Sequence, residues 1–216
     1  MGGWGGMVAT RVCFIIDGFN VYHSICEALR TRPGTSMKWL DLQELCRSYL
    51  GAIGGGAQLE RVFWFSAPAD FSTSKAERHE VYVQALKATG VAVQLGRFKE
   101  KDVYCNRCKT TFKRHEEKET DVAIAVKLLE LLVLDACDTV VLVSGDTDLA
   151  PSIRTAKVLF PTKKIVMLFP FGRLNIELER LAHRAIKIKA KSYAAHQLPD
   201  PLKTPDDSLI WKPLGW

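Results

Sequence analysis

The segment RVCFIIDG, residues 11–18, decides the fold class of this 216-residue chain. It is a short apolar run that ends at Asp17-Gly18, and a run of this kind predicts a buried parallel strand. A second run, TVVLVSGD at residues 139–146, ends in the same way at Ser144-Gly145-Asp146. A helical pattern follows each run. Two buried strands that each lead through a polar turn into a helix predict an α/β fold.

The same alternation of strands and helices continues along the chain. Further strands are predicted at residues 59–65, 91–95, 164–169 and 185–188. Helices are predicted at residues 21–30, 39–50, 72–88, 121–134, 149–159 and 175–184. This order predicts an open, mainly parallel sheet with helices on both faces, in three Rossmann-like layers. We predict one such domain over residues 11–197, a flexible N-terminus over residues 1–10 and a Pro-rich arm over residues 198–216.

Composition excludes several classes of protein. Hydrophobic residues make up 47% of the chain, which is too many for a disordered or fibrous protein. No stretch approaches the roughly 20 apolar residues of a membrane span. The Gly-rich N-terminus lacks the apolar region of a secretory signal. We therefore expect no membrane partner and a cytoplasmic location. The net charge of +6 favours a polyanionic partner.

Residues 98–118 stand out as a polar segment that we predict to be an irregular inserted loop. Seven basic residues crowd into it: Lys99, Lys101, Arg107, Lys109, Lys113, Arg114 and Lys118. A solvated surface loop explains such a cluster, and so does a surface that grips nucleic acid. Phe112 and Tyr104 are candidates to stack on bases or to pin the loop to the domain.

The same segment carries the pair Cys105-x-x-Cys108, which is typical of half a structural zinc site. His115 is the candidate third ligand. The fourth ligand stays open among His79, His183 and another chain. A disulfide does not suit a reducing compartment, and two free thiols are the alternative to zinc.

Carboxylates follow both of the buried strands. Asp17 ends the first, and Asp146 and Asp148 follow the other. Asp121 opens a helix, where the positive end of the helix dipole suits a carboxylate. Ligands of open parallel sheets bind beyond the carboxyl ends of the strands, at the point where strand order reverses. Each aspartate alone fits a turn or a helix cap, but together they predict a site for Mg²⁺ or Mn²⁺.

Three ordered motifs, IDGFN at residues 16–20, EKETDV at 117–122 and VSGDTDL at 143–149, resemble those of NYN-domain proteins of the LabA/DUF88 group. The resemblance covers roughly residues 11–189 and implies a PIN-like fold and metal-dependent cleavage of RNA. By position, the family's site residues correspond to Asp17, Asn20, Asp121, Asp146 and Asp148. Two departures occur: residues 118–121 are Lys-Glu-Thr-Asp where many relatives have Lys-Gly-Val-Asp, and position 147 is Thr where many have Ser. Neither departure removes a carboxylate.

The chemistry of the residue types indicates a role for each of these side chains. Asp17, Asp121 and Asp146 are expected to bind the catalytic metal, and Asp148 to bind a second metal or to position water. Asn20 would orient water or a phosphate oxygen. Side chains expected to support these carboxylates or to contact RNA are Ser144, Thr147, Lys109, Lys113, Arg114 and Lys118. The Mg²⁺ or Mn²⁺ ion would activate water for attack on phosphate.

The predicted function is therefore that of a metal-dependent ribonuclease. Two alternatives of other classes remain: a non-catalytic RNA-binding or regulatory module of the same fold, and a metal-dependent phosphatase. DNA stays open as a substrate. A second copy of the chain and a regulatory protein stay open as partners.

Overall fold

Six parallel strands form the central sheet in the computed structural model, which describes residues 9–68 and 72–216. The strands in chain order are β1 (Thr10–Asp17), β2 (Ala57–Ser66), β3 (Ala92–Leu95), β4 (Arg97–Cys105), β5 (Thr110–Lys118), β6 (Thr139–Val143), β7 (Lys164–Phe169), β8 (Arg184–Lys187), β9 (Leu202–Lys203) and β10 (Leu209–Ile210). The helices are α1 (Gly18–Thr31), α2 (Leu42–Ile53), α3 (Thr73–Ala88), α4 (Thr120–Val133), α5 (Ala150–Leu159), α6 (Ile176–Leu181) and α7 (Ala190–Ala195).

The strand order of the sheet is β3-β2-β1-β6-β7-β8, with every neighbouring pair parallel. From β1 the chain builds outward to β3 on one side, and from β6 it builds outward to β8 on the other. The order therefore reverses between β1 and β6, where a crevice opens at the carboxyl ends of the strands. Asp17 ends β1, and Ser144 follows β6. The predicted three-layer α/β fold is confirmed.

Helices cover both faces of the sheet because side chains of β1 alternate between two buried apolar cores. Val12, Phe14 and Ile16 belong to the core that includes α1, α2, α3 and α7. Cys13 and Ile15 belong to the core beneath α4, α5 and α6. Burial of each large apolar side chain contributes about 1.5–3 kcal/mol, so these cores hold the two halves of the crevice in fixed positions.

The basic segment is not an irregular loop, and that prediction was wrong. Strands β4 and β5, nine residues each, form an antiparallel hairpin that pairs Arg97 with Lys118 and Cys105 with Thr110. Its residues are mostly exposed, so it lacks the apolar alternation that predicts a strand. Cross-strand charge pairs support it instead, as between Lys113 Nζ and Glu100 Oε1 at 2.6 Å.

The Pro-rich arm docks on the domain through its last residue. Trp216 packs edge-on against Tyr82 of α3, with ring centroids 5.5 Å apart. Trp211, the other predicted anchor, is 63% exposed. The flexible N-terminus predicted for residues 1–10 falls mainly on residues 1–8, outside those described, and Thr10 already begins β1. Within the described part of the chain, no helix has the length and apolar character to cross a membrane.

Candidate active site

Asp17 is a buried carboxylate held by three hydrogen bonds. It caps α1, accepting from the Asn20 backbone N–H at 2.9 Å and from Asn20 Nδ2 at 2.6 Å. Ser144 Oγ donates to the same carboxylate at 2.9 Å. Burial raises the pKa of Asp17, and the hydrogen bonds from Asn20 and Ser144 oppose that effect. Its orientation is therefore set by both strands that flank the crevice.

The loop after β6 is joined to α1 and Asp17 by further hydrogen bonds. Ser144 Oγ accepts from the Asp146 N–H at 3.1 Å, and Asn20 Oδ1 accepts from the Gly145 N–H at 3.1 Å. Only glycine fits at position 145, because an added Cβ would collide with the backbone carbonyl oxygen of Arg173. The roles predicted for Asn20 and Ser144 thus take a specific form: they fix the Asp17 carboxylate and the start of the Asp146 loop.

Asp121 enters the crevice from the first turn of α4. The chain reaches α4 from β5 through Glu119, which has a left-handed backbone (φ 83°). Glu117 Oε1 accepts hydrogen bonds from the Thr120 N–H, at 3.1 Å, and from the Thr120 hydroxyl. Glu117 therefore ties the base of the β4–β5 hairpin to the start of the helix that carries Asp121.

These carboxylates share one open cavity of about 290 Å³, which we call the acidic pocket. Its lining comprises Asp17, Phe19, Asn20, His23, Phe98, Glu117, Thr120, Asp121 and Asp146. The pKa of Asp121 is raised to about 6, first by burial and then by the negative charges of Asp146, Asp17, Glu117 and Asp148. The predicted clustering of three aspartates from separate segments is what the structure shows.

The donor chemistry of the acidic pocket fits a hard divalent cation. Its candidate ligands are carboxylate oxygens, and the pKa of Asp121 is raised first by burial and then by the neighbouring negative charges. Among residues 9–68 and 72–216, no three His, Cys, Asp or Glu side chains are grouped closely enough to hold an ion. Mg²⁺ commonly binds through one or two carboxylates and keeps several waters, so a looser arrangement suits it.

Several predicted site residues lie outside this pocket. Asp148 is exposed, and its backbone N–H donates to Asp146 Oδ1 at 2.9 Å. Thr147 is also exposed, at the start of a short 3₁₀ helix. Lys118 Nζ pairs with Glu116 Oε2 at 3.0 Å on the hairpin. The remaining predicted RNA contacts, Lys109, Lys113 and Arg114, lie on the exposed hairpin beyond the pocket.

The cysteine pair lies at the tip of the hairpin, away from the predicted third ligand. Cys105 ends β4, whereas His115 pairs with Glu100, five positions further down the ladder. Five strand residues span about 17 Å. Cys108 is exposed, and its pKa is lowered first by the hydrogen bond with Thr110. The structure does not bring His115 to the cysteines.

The other two candidate ligands also lie elsewhere. His79 stacks on Trp64 with ring centroids 5.5 Å apart, and His183 Nδ1 accepts from the Ile165 N–H at 3.0 Å. Zinc at the cysteine pair remains a prediction that would require ligands from another molecule.

Two titratable residues of the acidic pocket, His23 and Glu117, were not predicted as site residues. His23 lies three residues after Asn20 on α1, and this spacing places both on one helix face. Glu117 belongs to the quoted motif EKETDV, but its distance from Asp121 along the chain did not show that it enters the same pocket. The i, i+3 spacing could have identified His23. Glu117 could be assigned to the pocket only after the structure of the β4–β5 hairpin was known.

The fold and the acidic pocket together define the class: a three-layer α/β protein with a carboxylate site at the reversal point of a parallel sheet. The NYN domain family model matches residues 11–189, so the chain belongs to the NYN domain family, whose fold is that of PIN-like nucleases. The narrower LabA/DUF88 assignment remains a prediction.

A solved structure supports the fold. It is the crystal structure of a protein of unknown function, VPA0982, from Vibrio parahaemolyticus RIMD 2210633, with a TM-score of 0.54 and 17% sequence identity. The similarity covers 84% of this chain and 94% of that protein. At this identity the likeness shows the fold alone. A search of curated proteins found no match.

Proposed function

We propose that this chain is a metal-dependent ribonuclease that hydrolyses phosphodiester bonds at the acidic pocket. The observation that carries the proposal is the convergence of Asp17, Asp121 and Asp146 at the strand-order reversal, with the pKa of Asp121 raised to about 6. Asp17 and Asp146 also cap helices, but capping does not require their carboxylates to line one pocket together with Asp121. NYN membership supports a nuclease at the coarse level.

The three aspartates differ in how many carboxylate lone pairs remain available to bind a ligand. An ionised carboxylate has about four lone-pair sites, and hydrogen bonds from Asn20 and Ser144 use three of those on Asp17. On Asp146, Oδ1 accepts from the Asp148 N–H. Asp17 is therefore the best fixed of the three, while Asp121 and Asp146 have more freedom to move toward a ligand. Asp148 is placed to hold the Asp146 loop through its backbone.

Mg²⁺ or Mn²⁺ bound there would lower the pKa of a water and neutralise the charge of an in-line displacement at phosphorus. The protein itself would orient the carboxylates and attract the RNA strand. The β4–β5 hairpin carries Lys113 and Arg114, which are both exposed and lie on its opposite faces. Exposed cations of this kind bind phosphates without reading sequence. Since β5 leads directly into α4, the hairpin extends from the rim of the acidic pocket.

The test is incubation of purified protein with labelled single-stranded RNA, structured RNA, DNA and a small phosphomonoester, in Mg²⁺, Mn²⁺ or EDTA. We expect RNA cleavage that requires the metal and is lost in EDTA. Turnover of the phosphomonoester alone would support the phosphatase instead, and RNA binding without cleavage would support the non-catalytic module.

A matched pair of variants lies at opposite ends of one strand. Asp146 follows the carboxyl end of β6, and Asp138 precedes its start. Asp146→Asn should abolish cleavage and retain RNA binding, whereas Asp138→Asn should cleave at the rate of the unaltered protein at a temperature where both are folded. Equal activity of all three proteins would refute the proposed site.

A further inference from the structure

Next to the acidic pocket lies a second cavity, of about 340 Å³, which we call the aromatic pocket. The buried rings of Trp64, on β2, and Tyr82, on α3, meet edge to face in its lining, with centroids 5.8 Å apart. Trp216 packs against Tyr82 and also lines the pocket. The volume falls in the range of small-ligand sites, about 300–1,000 Å³. Aromatic side chains of β2, α3 and the C-terminal arm thus line one cavity.

The two cavities are contiguous. Phe19, His23 and Phe98 line both of them, and the rings of Phe19 and Phe98 meet edge to face at 5.7 Å. Gly18, which lines the aromatic pocket, directly follows Asp17 of the acidic pocket. A single ligand could therefore reach both the aromatic pocket and the carboxylates.

The charge of the aromatic pocket is opposite to that of its neighbour. Lys38, Lys75 and Arg78 line it, and none of the described residues in its lining is an Asp or Glu. Inside it lies the buried Ser66, whose Oγ is 3.2 Å from His79 Nε2. A lining that combines aromatic rings, hydrogen-bonding groups and cationic side chains is complementary to a nucleotide, which has a flat polar base and a negative phosphate.

We propose that the aromatic pocket binds one base of the single-stranded RNA substrate, next to the phosphate held at the acidic pocket. The proposal rests on the ribonuclease function and names a subsite of it. Proteins that bind single-stranded RNA stack unpaired bases on aromatic side chains, each stacked base being worth about 1–3 kcal/mol. A nucleotide has a flat base for the aromatic rings and a phosphate for the side chains of Lys38 and Arg78, whereas a purely apolar ligand has no group for those cations to bind.

The two tryptophans of the C-terminal arm provide a matched test. Trp216 lines the aromatic pocket, while Trp211 is 63% exposed and outside it. Binding of an end-labelled RNA oligomer is measured by fluorescence polarisation in EDTA, so that cleavage plays no part. Trp216→Ala should weaken binding by about 5- to 150-fold, which corresponds to the loss of one stacked base. Trp211→Ala should bind as the unaltered protein does.

A second arm changes the RNA instead of the protein. An oligomer with abasic ribose at every position keeps its phosphates, and the unaltered protein should bind it at least as weakly as Trp216→Ala binds intact RNA. Trp216→Ala itself should lose little affinity for the abasic oligomer. The proposal is overturned if intact and abasic oligomers bind equally well, or if folded Trp216→Ala retains full affinity for intact RNA.

Arg78 gives a third measurement that does not depend on how Trp216→Ala folds. Arg78→Ala should reduce the slope of log K against log salt by about 0.7, the loss of one phosphate contact on a single strand. An unchanged slope would count against the phosphate contact of Arg78 and so against the proposal. Because these assays contain no metal, they are separate from the ribonuclease test: cleavage can fail while base binding holds, and the reverse.

Discussion

Replacement of Asp17 by asparagine removes the negative charge at the site and also disturbs the hydrogen bonds that hold this side chain. The side chain keeps its size but exchanges one acceptor oxygen for an NH₂ donor. If that NH₂ takes the place of Oδ2, it meets the donors of Asn20 and Ser144; if it takes the place of Oδ1, it meets the Asn20 N–H. Either orientation leaves at least one buried donor without its acceptor.

The structure allows the cost to be estimated. A buried donor left unsatisfied costs about 1–3 kcal/mol. Removal of a charge whose pKa is raised by burial offsets part of that cost. We expect a net loss of about 1–2 kcal/mol, and for a protein of this length that lowers Tm by roughly 2–8 °C. Cleavage should fall about 100- to 1,000-fold, the scale found when one electrostatic group is removed from an active site.

The control is Ser144→Ala, which removes a hydrogen bond to Asp17 and keeps the charge. It should destabilise the protein by a similar amount, since the Asp146 N–H also loses its acceptor. Its cleavage rate should fall only about tenfold. Both variants are compared by thermal melting and by initial rates on labelled RNA with Mg²⁺ or Mn²⁺. A folded Asp17→Asn protein that cleaves as fast as the unaltered chain would refute the assignment of Asp17.

Three further predictions test other parts of the molecule. Gly145→Ala should lower both Tm and cleavage, because the added methyl collides with a backbone carbonyl, and such overpacking costs about 1–3 kcal/mol; Gly51→Ala, in open space on α2, should leave cleavage unchanged and raise Tm slightly. Replacement of both Lys113 and Arg114 by alanine should reduce the slope of log K against log salt for RNA binding by about 1.4, the loss of two phosphate contacts. Asp138→Asn should make the protein less sensitive to acid in melting experiments. The hydrogen-bonded ion pair with a neighbouring arginine holds the pKa of Asp138 well below its usual range, so the carboxylate contributes stability above about pH 4 that is lost as the pH falls further.

The sequence predicted those parts of the fold where a local pattern of residues is compatible with only one structure. The runs that became β1 and β6 are apolar on both faces, and such strands fit only the interior of a sheet covered by helices on both sides. Because both strands are parallel, their ends had to lie at one edge. That inference brought Asp17 and Asp146 together before the strand order was known.

The hairpin shows why the rest could not be predicted. Its strands are mostly exposed on both faces, so neither side carries an apolar stripe, and the pairing is held by backbone bonds and charge pairs such as Lys113–Glu100. The pairing of β4 with β5 also holds His115 away from Cys105 and Cys108. In a compact loop these three side chains would have been able to meet. The inward position of Glu117 follows from the same pairing. Asp148 was predicted from its position in the motif VSGDTDL. The 3₁₀ turn that contains it leaves its side chain exposed, outside the acidic pocket.

Helix capping alone does not explain why residue 17 is an aspartate. A cap needs one acceptor for the Asn20 N–H, and Ser or Asn supplies it about as well, with no charge to bury. Asp17 is instead buried beside Asp146 and within electrostatic range of Asp121, and both burial and the nearby charge raise its pKa. Asn20 and Ser144 then donate three hydrogen bonds that favour the ionised form over the neutral one. These hydrogen bonds oppose the effects of burial and of the neighbouring charge, and a bound cation would oppose them further. The proposed catalytic assignment of Asp17 rests on that reasoning as well as on its position.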